Sequence, residues 1–164
     1  MNDNLDQIIT DVFEKCGLKI SAFQLESESN EYDACRFELN GLKIISRRSK
    51  MTPKKIGQFV TFWKRNGNGI IEPLEETEPF DFYVVNVRTE KEYGQFVFPK
   101  SVLIKKGIIS TSKKEGKRAF RVYPSWDIAI NNQAKRTQKW QLDYFYEINN
   151  ATDYKKVAEL YVDV

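Results

Sequence analysis

Apolar residues recur every three or four positions in several segments of the chain, which is the spacing that predicts amphipathic helices. The first segment spans Leu5–Cys16, and Gly17 follows it where a glycine commonly ends a helix. A second predicted helix begins at Pro53, behind the cap residue Thr52, and ends before Asn66. Three further helices are predicted within Pro99–Gly107, over Asn131–Ile148, and from the cap Thr152 to Tyr161.

Other apolar segments alternate with polar residues or are apolar throughout, as strands are. The clearest is a hairpin whose arms, Ala34–Leu39 and Leu42–Arg48, flank Asn40-Gly41, two residues that tolerate the positive φ angles of a type I′ turn. The order of helices and strands, without a repeat or a linker, predicts one α/β domain over residues 1–164, with a mixed β-sheet and helices on both faces. The other predicted strands are Leu18–Leu25, Phe80–Val87, Tyr93–Phe98, Ile108–Ile109 and Arg118–Tyr123.

The composition excludes several kinds of catalytic site. The chain has no histidine, which removes Ser-His and Cys-His nucleophile pairs and histidine-liganded zinc. Its two cysteines, Cys16 and Cys35, are too few for a disulfide framework and are expected to be reduced thiols. The acidic N-terminal segment does not resemble a signal peptide, and no apolar run reaches the ~18 residues that a membrane helix needs. We therefore expect a cytoplasmic protein that does not span a membrane.

Basic and acidic residues are segregated along the chain, although 26 of one and 23 of the other leave a net charge of only +3. Residues 39–71 contain eight Lys and Arg and no acid, and residues 100–121 contain eight more with Glu115 as the single acid. Such segregation is typical of proteins that bind a phosphate-bearing partner, although it also occurs on ordinary solvated faces.

The first basic stretch includes the predicted start of the helix at Pro53. Lysine is unfavourable at the positive end of a helix dipole, so an anion bound to the free N–H groups would explain the lysines found there. The phosphate-binding residues expected here are Arg48, Lys50, Thr52, Lys54 and Lys55.

The predicted hairpin register places charged residues of the two arms opposite one another. Counting outward from the turn, Asp33 faces Arg48, and Glu31 faces Lys50. Two carboxylates and a lysine at strand ends are the groups that a metal-assisted phosphodiester reaction needs. Glu31, Asp33 and Lys50 are therefore the candidate catalytic residues, with Glu31 and Asp33 as ligands of Mg²⁺ or Mn²⁺. The simpler interpretation is a pair of exposed salt bridges.

Bases alternate with aromatic residues in the second basic stretch and in the segment that follows it. Cations that follow a phosphate backbone and rings that stack on bases are the two elements of single-stranded nucleic-acid sites. We expect Tyr123 and Trp126 to stack on bases, the alternative being that the tryptophan packs in the core. The phosphate contacts expected here are Arg118, Arg121, Lys135 and Lys139.

Several separated blocks between Glu31 and Glu147 resemble the MepB family of small bacterial proteins. The blocks read QFVTFWKR, FDFYVVNV, GQFVFPK, KEGKRAFRVYPSWD and QAKRTQKWQL. The resemblance implies a restriction-endonuclease-like core, which nucleases and non-catalytic nucleic-acid binders share, so the activity stays open. Nucleases of that fold usually carry an acid two positions before a catalytic lysine, whereas this chain has Arg48 two positions before Lys50.

The leading hypothesis is a cytoplasmic protein that binds nucleic acid, DNA in preference to RNA, on a core whose nuclease motif is degenerate. One alternative is an enzyme, a Mg²⁺- or Mn²⁺-dependent nuclease or nucleotide phosphohydrolase that uses Glu31, Asp33 and Lys50. The other is a protein-interaction module that presents the acidic segment Glu72–Glu92 to a basic partner.

Overall fold

The computed structural model describes residues 3–162, which begin with a helical segment. Helix α1 (Asp3–Ile8) continues as a π-helical turn over Ile9–Phe13 and a 3-10 turn over Glu14–Cys16. The segment ends at Gly17, whose φ of 70° is left-handed, so the predicted N-terminal helix is confirmed. The later helices are α2 (Lys100–Lys105), α3 (Asn132–Gln141) and α4 (Tyr154–Leu160).

The strands of the described residues form three sheets. In chain order they are β1 (Ile20–Leu25), β2 (Cys35–Leu39), β3 (Leu42–Arg48), β4 (Lys50–Thr52), β5 (Lys55–Thr61), β6 (Trp63–Arg65), β7 (Ile71–Pro73), β8 (Phe82–Arg88), β9 (Tyr93–Pro99), β10 (Ala119–Val122) and β11 (Phe145–Glu147). The large sheet has the order β1-β2-β3-β8-β9-β11, in which β3 and β8 are parallel and the other neighbours antiparallel. The smaller sheets are β10-β5-β4 and β6-β7.

The large sheet is organised around the predicted hairpin and the predicted central strand. Strands β2 and β3 pair in the expected register, with Cys35 opposite Ser46, and the turn residues Asn40 and Gly41 have φ of 50° and 84°. Strand β8 is buried along all of its length except Arg88, because β3 and β9 flank it and both faces of the sheet are covered.

Helices cover both faces of the large sheet, as the sequence predicted. On one face, α1 and α4 pack through Ile8 and Val157 against sheet residues such as Val84. On the other face, α2 and α3 share a core with the sheet β10-β5-β4, and there Phe62 stacks on Tyr83 with ring centroids 3.8 Å apart. The molecule is therefore a mixed α/β structure with two cores, one on each side of the six-stranded sheet.

The helix predicted at Pro53 is wrong, because this segment forms a β-hairpin. Strand β4 ends at Thr52, Pro53 and Lys54 make the turn, and β5 pairs with β4 on one side and with β10 on the other. Its β-branched and aromatic residues fit helical spacing but suit a strand as well, so pairing with the distant β10 decides the outcome. Thr52 thus precedes a turn, and the anion site expected on helical N–H groups is not formed there.

The two C-terminal helices differ from their predicted bounds. The helix predicted over Asn131–Ile148 ends at Gln141, because the chain then makes a 3-10 turn and joins the large sheet as β11, opposite β9. The side chain that caps α4 belongs to Asp153 and not to Thr152. Within residues 3–162, no helix is long and apolar enough to cross a membrane.

The short strand predicted at Ile108 and Ile109 does not form, although both side chains are buried in the core. Their backbone N–H groups donate to the carbonyl oxygen of Leu103, so the segment closes the end of α2 instead of pairing with a strand. The strand predicted over Arg118–Tyr123 is confirmed as β10.

Candidate nucleic-acid interface

The open end of the β2–β3 hairpin carries the hairpin cluster, Glu31, Asp33, Arg48 and Lys50. Glu31 lies in a 3-10 turn before β2, and Lys50 begins β4. The Lys50 Nζ lies 3.2 Å from the Glu31 Oε2, and the Arg48 Nε lies 3.2 Å from the Asp33 Oδ2. The Lys50 ammonium also lies 5.0 Å from the ring centroid of Tyr32. The four residues therefore come together as the register predicted, in the form of two ion pairs.

The hairpin cluster does not fit a magnesium or manganese site. Mg²⁺ requires an octahedral set of oxygen ligands, whereas each carboxylate here is already paired with a cation. The Glu31 side chain is also 71% exposed, so no protein cavity holds it. In the part of the chain that the structure describes, no three His, Cys, Asp or Glu side chains converge as metal ligands. The geometry is that of two solvent-exposed salt bridges.

A second charged cluster, which the sequence did not indicate, lies across strands β2 and β3. Glu26 accepts hydrogen bonds from the Arg36 Nε at 2.8 Å and from the Arg47 Nη2 at 2.7 Å. Arg47 is only 3% exposed, and its guanidinium lies 5.6 Å from the ring centroid of Tyr83. These three residues, Glu26, Arg36 and Arg47, are called the Glu26 cluster, and they line a cleft of about 520 Å³.

Two cations of this cleft, Arg47 and Lys64, have a raised pKa, which favours their charged form. Burial lowers the pKa of Arg47, but the neighbouring Tyr83 and Glu26 outweigh burial and raise the pKa above its ordinary value. Burial likewise lowers the pKa of Lys64, and the Glu78 carboxylate, 3.0 Å away, is the main group that raises the pKa overall. Each of these two cations is therefore paired with a carboxylate of the protein.

A third charged region is the groove between strand β10 and helix α3, called the β10–α3 groove, with a volume of about 300 Å³. The Lys106 Nζ lies over the indole ring of Trp140, 5.3 Å from its centroid. No Asp or Glu side chain lines the groove, and within residues 3–162 none of its cations forms a salt bridge. The cations and rings that line it are Lys106, Lys117, Arg121, Phe120, Tyr123 and Trp140.

Arg121 fastens the floor of the groove to the β4–β5 hairpin. Its Nη1 donates to the carbonyl oxygens of Ile56 and Gly57 at 3.4 and 3.2 Å, and its Nη2 donates to the Thr52 hydroxyl at 2.6 Å. Gly57 has a φ of 83°, and a Cβ at this position would lie 2.7 Å from the ring of Tyr123. The hairpin can therefore approach β10 this closely because the residue is glycine.

Helix α3 presents one side to the groove through Gln133, Thr137 and Trp140. Successive helical residues are about 100° apart, so Lys135 and Lys139 project to a different side of α3. These two predicted phosphate contacts are exposed but do not line the groove.

The remaining predicted phosphate contacts lie beside the groove. Arg118, which precedes β10, forms an ion pair with Glu115 at 3.0 Å. Lys54 and Lys55 are exposed at the tip of the β4–β5 hairpin, which Arg121 holds against β10. Of the predicted phosphate contacts, only Arg121 lines the groove itself.

The two aromatic residues predicted to stack on bases have different surroundings. Tyr123 lines the groove, whereas Trp126 is partly buried and packs against the core with its ring centroid 5.7 Å from that of Phe145. The loop after β10 folds onto β11 and buries the Trp126 Nε1, which has no hydrogen-bond partner among the described residues. Trp140 occupies the groove instead, and the sequence did not indicate its contact with Lys106 because the two residues lie in separate segments.

The chain is similar to known proteins in sequence and in structure. Residues 26–147 match the model of the MepB-like family. The crystal structure of MepB is 34% identical, with a TM-score of 0.79 over 92% of this chain and 99% of that chain. The structure of a bacterial homing endonuclease is 19% identical, with a TM-score of 0.48 over 85% of this chain and 86% of that one. No curated protein sequence matches significantly. With the family model covering most of its length, this chain belongs to the MepB-like family.

Proposed function

We propose that this chain binds nucleic acid, and DNA in preference to RNA, through the β10–α3 groove. The observation that carries the proposal is a concave surface that three cations and three aromatic rings line, with no carboxylate from residues 3–162. Cations without carboxylate partners keep their charge available for phosphates, and rings in a groove offer faces on which bases can stack.

Exposed cations around the groove would extend contacts along a phosphate backbone. Lys54 and Lys55 lie at the hairpin tip, and Arg136 is exposed on α3 next to the groove-lining Thr137. Lys135 and Lys139 add charge on the outer side of the same helix. Arg48 and Lys50 are proposed as weaker contributors, because the carboxylates of Asp33 and Glu31 offset their charge.

The proposed function is binding without cleavage. The residues expected to perform hydrolysis are engaged in salt bridges. Glu31 pairs with Lys50, and Asp33 pairs with Arg48. No contact within residues 3–162 favours the phosphoesterase alternative, because too few oxygen ligands converge to hold a divalent metal.

Fluorescence anisotropy with short labelled DNA duplexes and single strands tests the proposal. The variant Lys106→Ala/Lys117→Ala/Arg136→Ala removes three cations at the groove, none of which forms a salt bridge within the described chain. We expect the Kd for DNA to rise roughly 10- to 100-fold, because up to three phosphate contacts are lost.

A matched control separates the groove from net charge. The variant Lys19→Ala/Lys91→Ala/Lys155→Ala removes the same number of charges from exposed positions that do not line the groove. We expect its Kd to change by less than about threefold. Equal weakening by both variants would contradict a role for the groove, and the absence of DNA or RNA binding by the wild type would refute the proposed function.

A further inference from the structure

The β10–α3 groove is small, and hydrogen bonds hold its walls in place. The side chain of Gln141 is fully buried between α3 and β10. Its Oε1 accepts a hydrogen bond from the N–H of Tyr123 at 2.8 Å, and its Nε2 donates to the carbonyl oxygen of Arg121 at 3.0 Å. The ring of Tyr123 also packs closely against Gly57. A groove of about 300 Å³ with fixed walls suits a small planar group, because little has to rearrange when the group binds.

Two rings of the groove have no access to the bases of a continuous duplex. Tyr123 and Trp140 are half-buried and form part of the groove wall. Each base inside a duplex is covered on both faces by its neighbours, so an aromatic side chain can stack on it only after it leaves the stack. A base that stacks on these rings must therefore be unpaired.

Two polar side chains of α3 are free to bind the edge of a base. Gln133 and Thr137 lie about one helical turn apart, and both line the groove. Within residues 3–162, neither side chain forms a hydrogen bond with the protein. An amide and a hydroxyl each offer a donor and an acceptor, which are the groups that recognise the edge of a base. These side chains favour a base as the occupant over a purely apolar ligand.

The charges of the groove differ between its two ends. The N–H of Lys117 donates to the carbonyl oxygen of Ile108 at 2.9 Å, and Lys106 precedes Ile108 by two residues, so both lysines lie at the same end. Tyr123 lies at the far end of β10, and the acidic Glu147 contacts the loop that follows Tyr123. Phosphates are therefore favoured at the lysine end, and an uncharged base is favoured at the tyrosine end.

We propose that the β10–α3 groove holds one unpaired nucleotide of the bound DNA, an inference that rests on the proposed function. The base stacks on Tyr123, the side chain of Gln133 binds its edge, and the adjoining phosphates contact Lys106 and Lys117. The substrate class is DNA that contains an unpaired nucleotide. Taking a base out of a continuous duplex costs free energy, so DNA in which one nucleotide is already unpaired should bind more tightly.

Fluorescence anisotropy with two labelled duplexes tests this inference. One duplex is fully paired, and the other is identical except for one extra, unpaired nucleotide in the middle of one strand. We expect the wild type to bind the second duplex roughly tenfold more tightly. The variant Tyr123→Leu should lose most of this preference, because the stacking of the base on the ring is lost, while its Kd for the paired duplex changes by less than about twofold. The variant Tyr123→Phe keeps the ring and should keep the preference.

A second variant keeps the test decisive if Tyr123→Leu does not fold, which urea denaturation would reveal. Gln133 is exposed on α3, so Gln133→Ala should fold normally. It should weaken binding of the duplex with the unpaired nucleotide several-fold and leave binding of the paired duplex unchanged. The matched control Tyr154→Leu removes another half-buried tyrosine that does not line the groove, and it should leave the preference unchanged.

Two results would overturn the inference and leave the binding function standing. One is a wild type that binds both duplexes equally tightly. The other is a preference that persists in folded Tyr123→Leu or, if that variant does not fold, in Gln133→Ala. A wild type that binds no DNA refutes both proposals, even if it binds a free nucleotide.

Discussion

The Glu26 cluster and the β10–α3 groove both contain several cations, but those cations have different neighbours. In the Glu26 cluster, Arg36 and Arg47 lie 2.8 and 2.7 Å from the two carboxylate oxygens of Glu26. In the groove, Lys106 faces an aromatic ring, and Arg121 donates to backbone and hydroxyl oxygens. Both arginines of the first region are paired with a carboxylate of the protein, whereas the cations of the groove have no salt-bridge partner among the described residues and their charge is available to a ligand.

This difference shows that the number of cations in a stretch of sequence does not reveal which of them are paired with acids in the fold. Arg48 and Lys50 of the hairpin cluster lie in a stretch of eight cations without an acid, yet Asp33 and Glu31 from outside that stretch pair with them. The groove takes its cations from separate segments, and none of them forms a salt bridge within the described structure. The comparison therefore predicts that charges of the Glu26 cluster and the hairpin cluster affect the free energy of unfolding. Charges of the groove are expected to affect the Kd for DNA.

Removing the carboxylate of Glu26 tests whether the charges of the Glu26 cluster stabilise the fold. We expect this substitution to have the largest effect on the free energy of unfolding. Arg47 is almost fully buried, so the variant Glu26→Ala leaves a buried charge without its counterion. We expect the free energy of unfolding to fall by about 3–5 kcal/mol, measured by urea denaturation. The Kd for DNA should change by less than about twofold, because Glu26 does not line the groove.

Glu28 provides the matched control for this substitution. It pairs with Arg65 at 2.7 Å, but both side chains are exposed to water. The variant Glu28→Ala should therefore lose less than about 1 kcal/mol of unfolding free energy. If both variants were destabilised to the same extent, burial of the arginine would not be what distinguishes the Glu26 cluster.

The same comparison explains how far the sequence predicts the structure. The hairpin register and the ion pairs of the hairpin cluster follow from Asn40-Gly41, because a tight turn determines which neighbouring residues face each other. The segment after Thr52 was predicted as a helix, and it becomes a strand because β10, far along the chain, pairs with β5. The groove depends on that distant pairing, so the meeting of Lys106 with Trp140 has no local sequence signal.

The salt dependence of the proposed DNA binding would compare the groove directly with the hairpin cluster. A cation that neutralises a phosphate contributes about 0.9 to the slope of log K against log salt. The variant Lys106→Ala/Lys117→Ala should therefore reduce the magnitude of the slope by up to about 2, whereas Arg48→Ala/Lys50→Ala should change it by less than about 1. Anisotropy titrations at several salt concentrations measure both slopes. A larger reduction for Arg48→Ala/Lys50→Ala would show that the phosphate contacts lie at the hairpin cluster and not in the groove.

The buried Cys35 of strand β2 is expected to make the free energy of unfolding depend on pH. Burial raises the pKa of its thiol from 9.0 to about 11, although a hydrogen bond with Ser46 and the charge of Arg47 lower it. Between these two pH values the native protein keeps a proton that the unfolded chain has lost. The stabilisation is thus fully present below pH 9 and is lost as the pH rises toward 11.

Urea denaturation at several pH values measures this loss, with Cys35→Ala as the reference. Tyr93, whose pKa burial raises to about 12, lowers stability at high pH in both proteins, so the difference between the two isolates the thiol. We expect the wild type to lose more unfolding free energy than Cys35→Ala between pH 9 and 11. Parallel pH profiles would show that the thiol is accessible to water in the native state.

The smallest effect is expected at the pair of Glu31 and Lys50, where the Glu31 side chain is largely in water. The variant Glu31→Gln should change the unfolding free energy by less than about 1 kcal/mol, because exposed ion pairs contribute little. Addition of Mg²⁺ or Mn²⁺ should leave the difference in Tm between the wild type and the variant unchanged. Any metal bound at this cluster would stabilise the folded wild type selectively, since a ligand that binds the native state shifts unfolding by mass action. A selective rise in Tm would therefore show that Glu31 and Asp33 are metal ligands. The hairpin cluster would then be a binding site like the groove and not merely a pair of salt bridges.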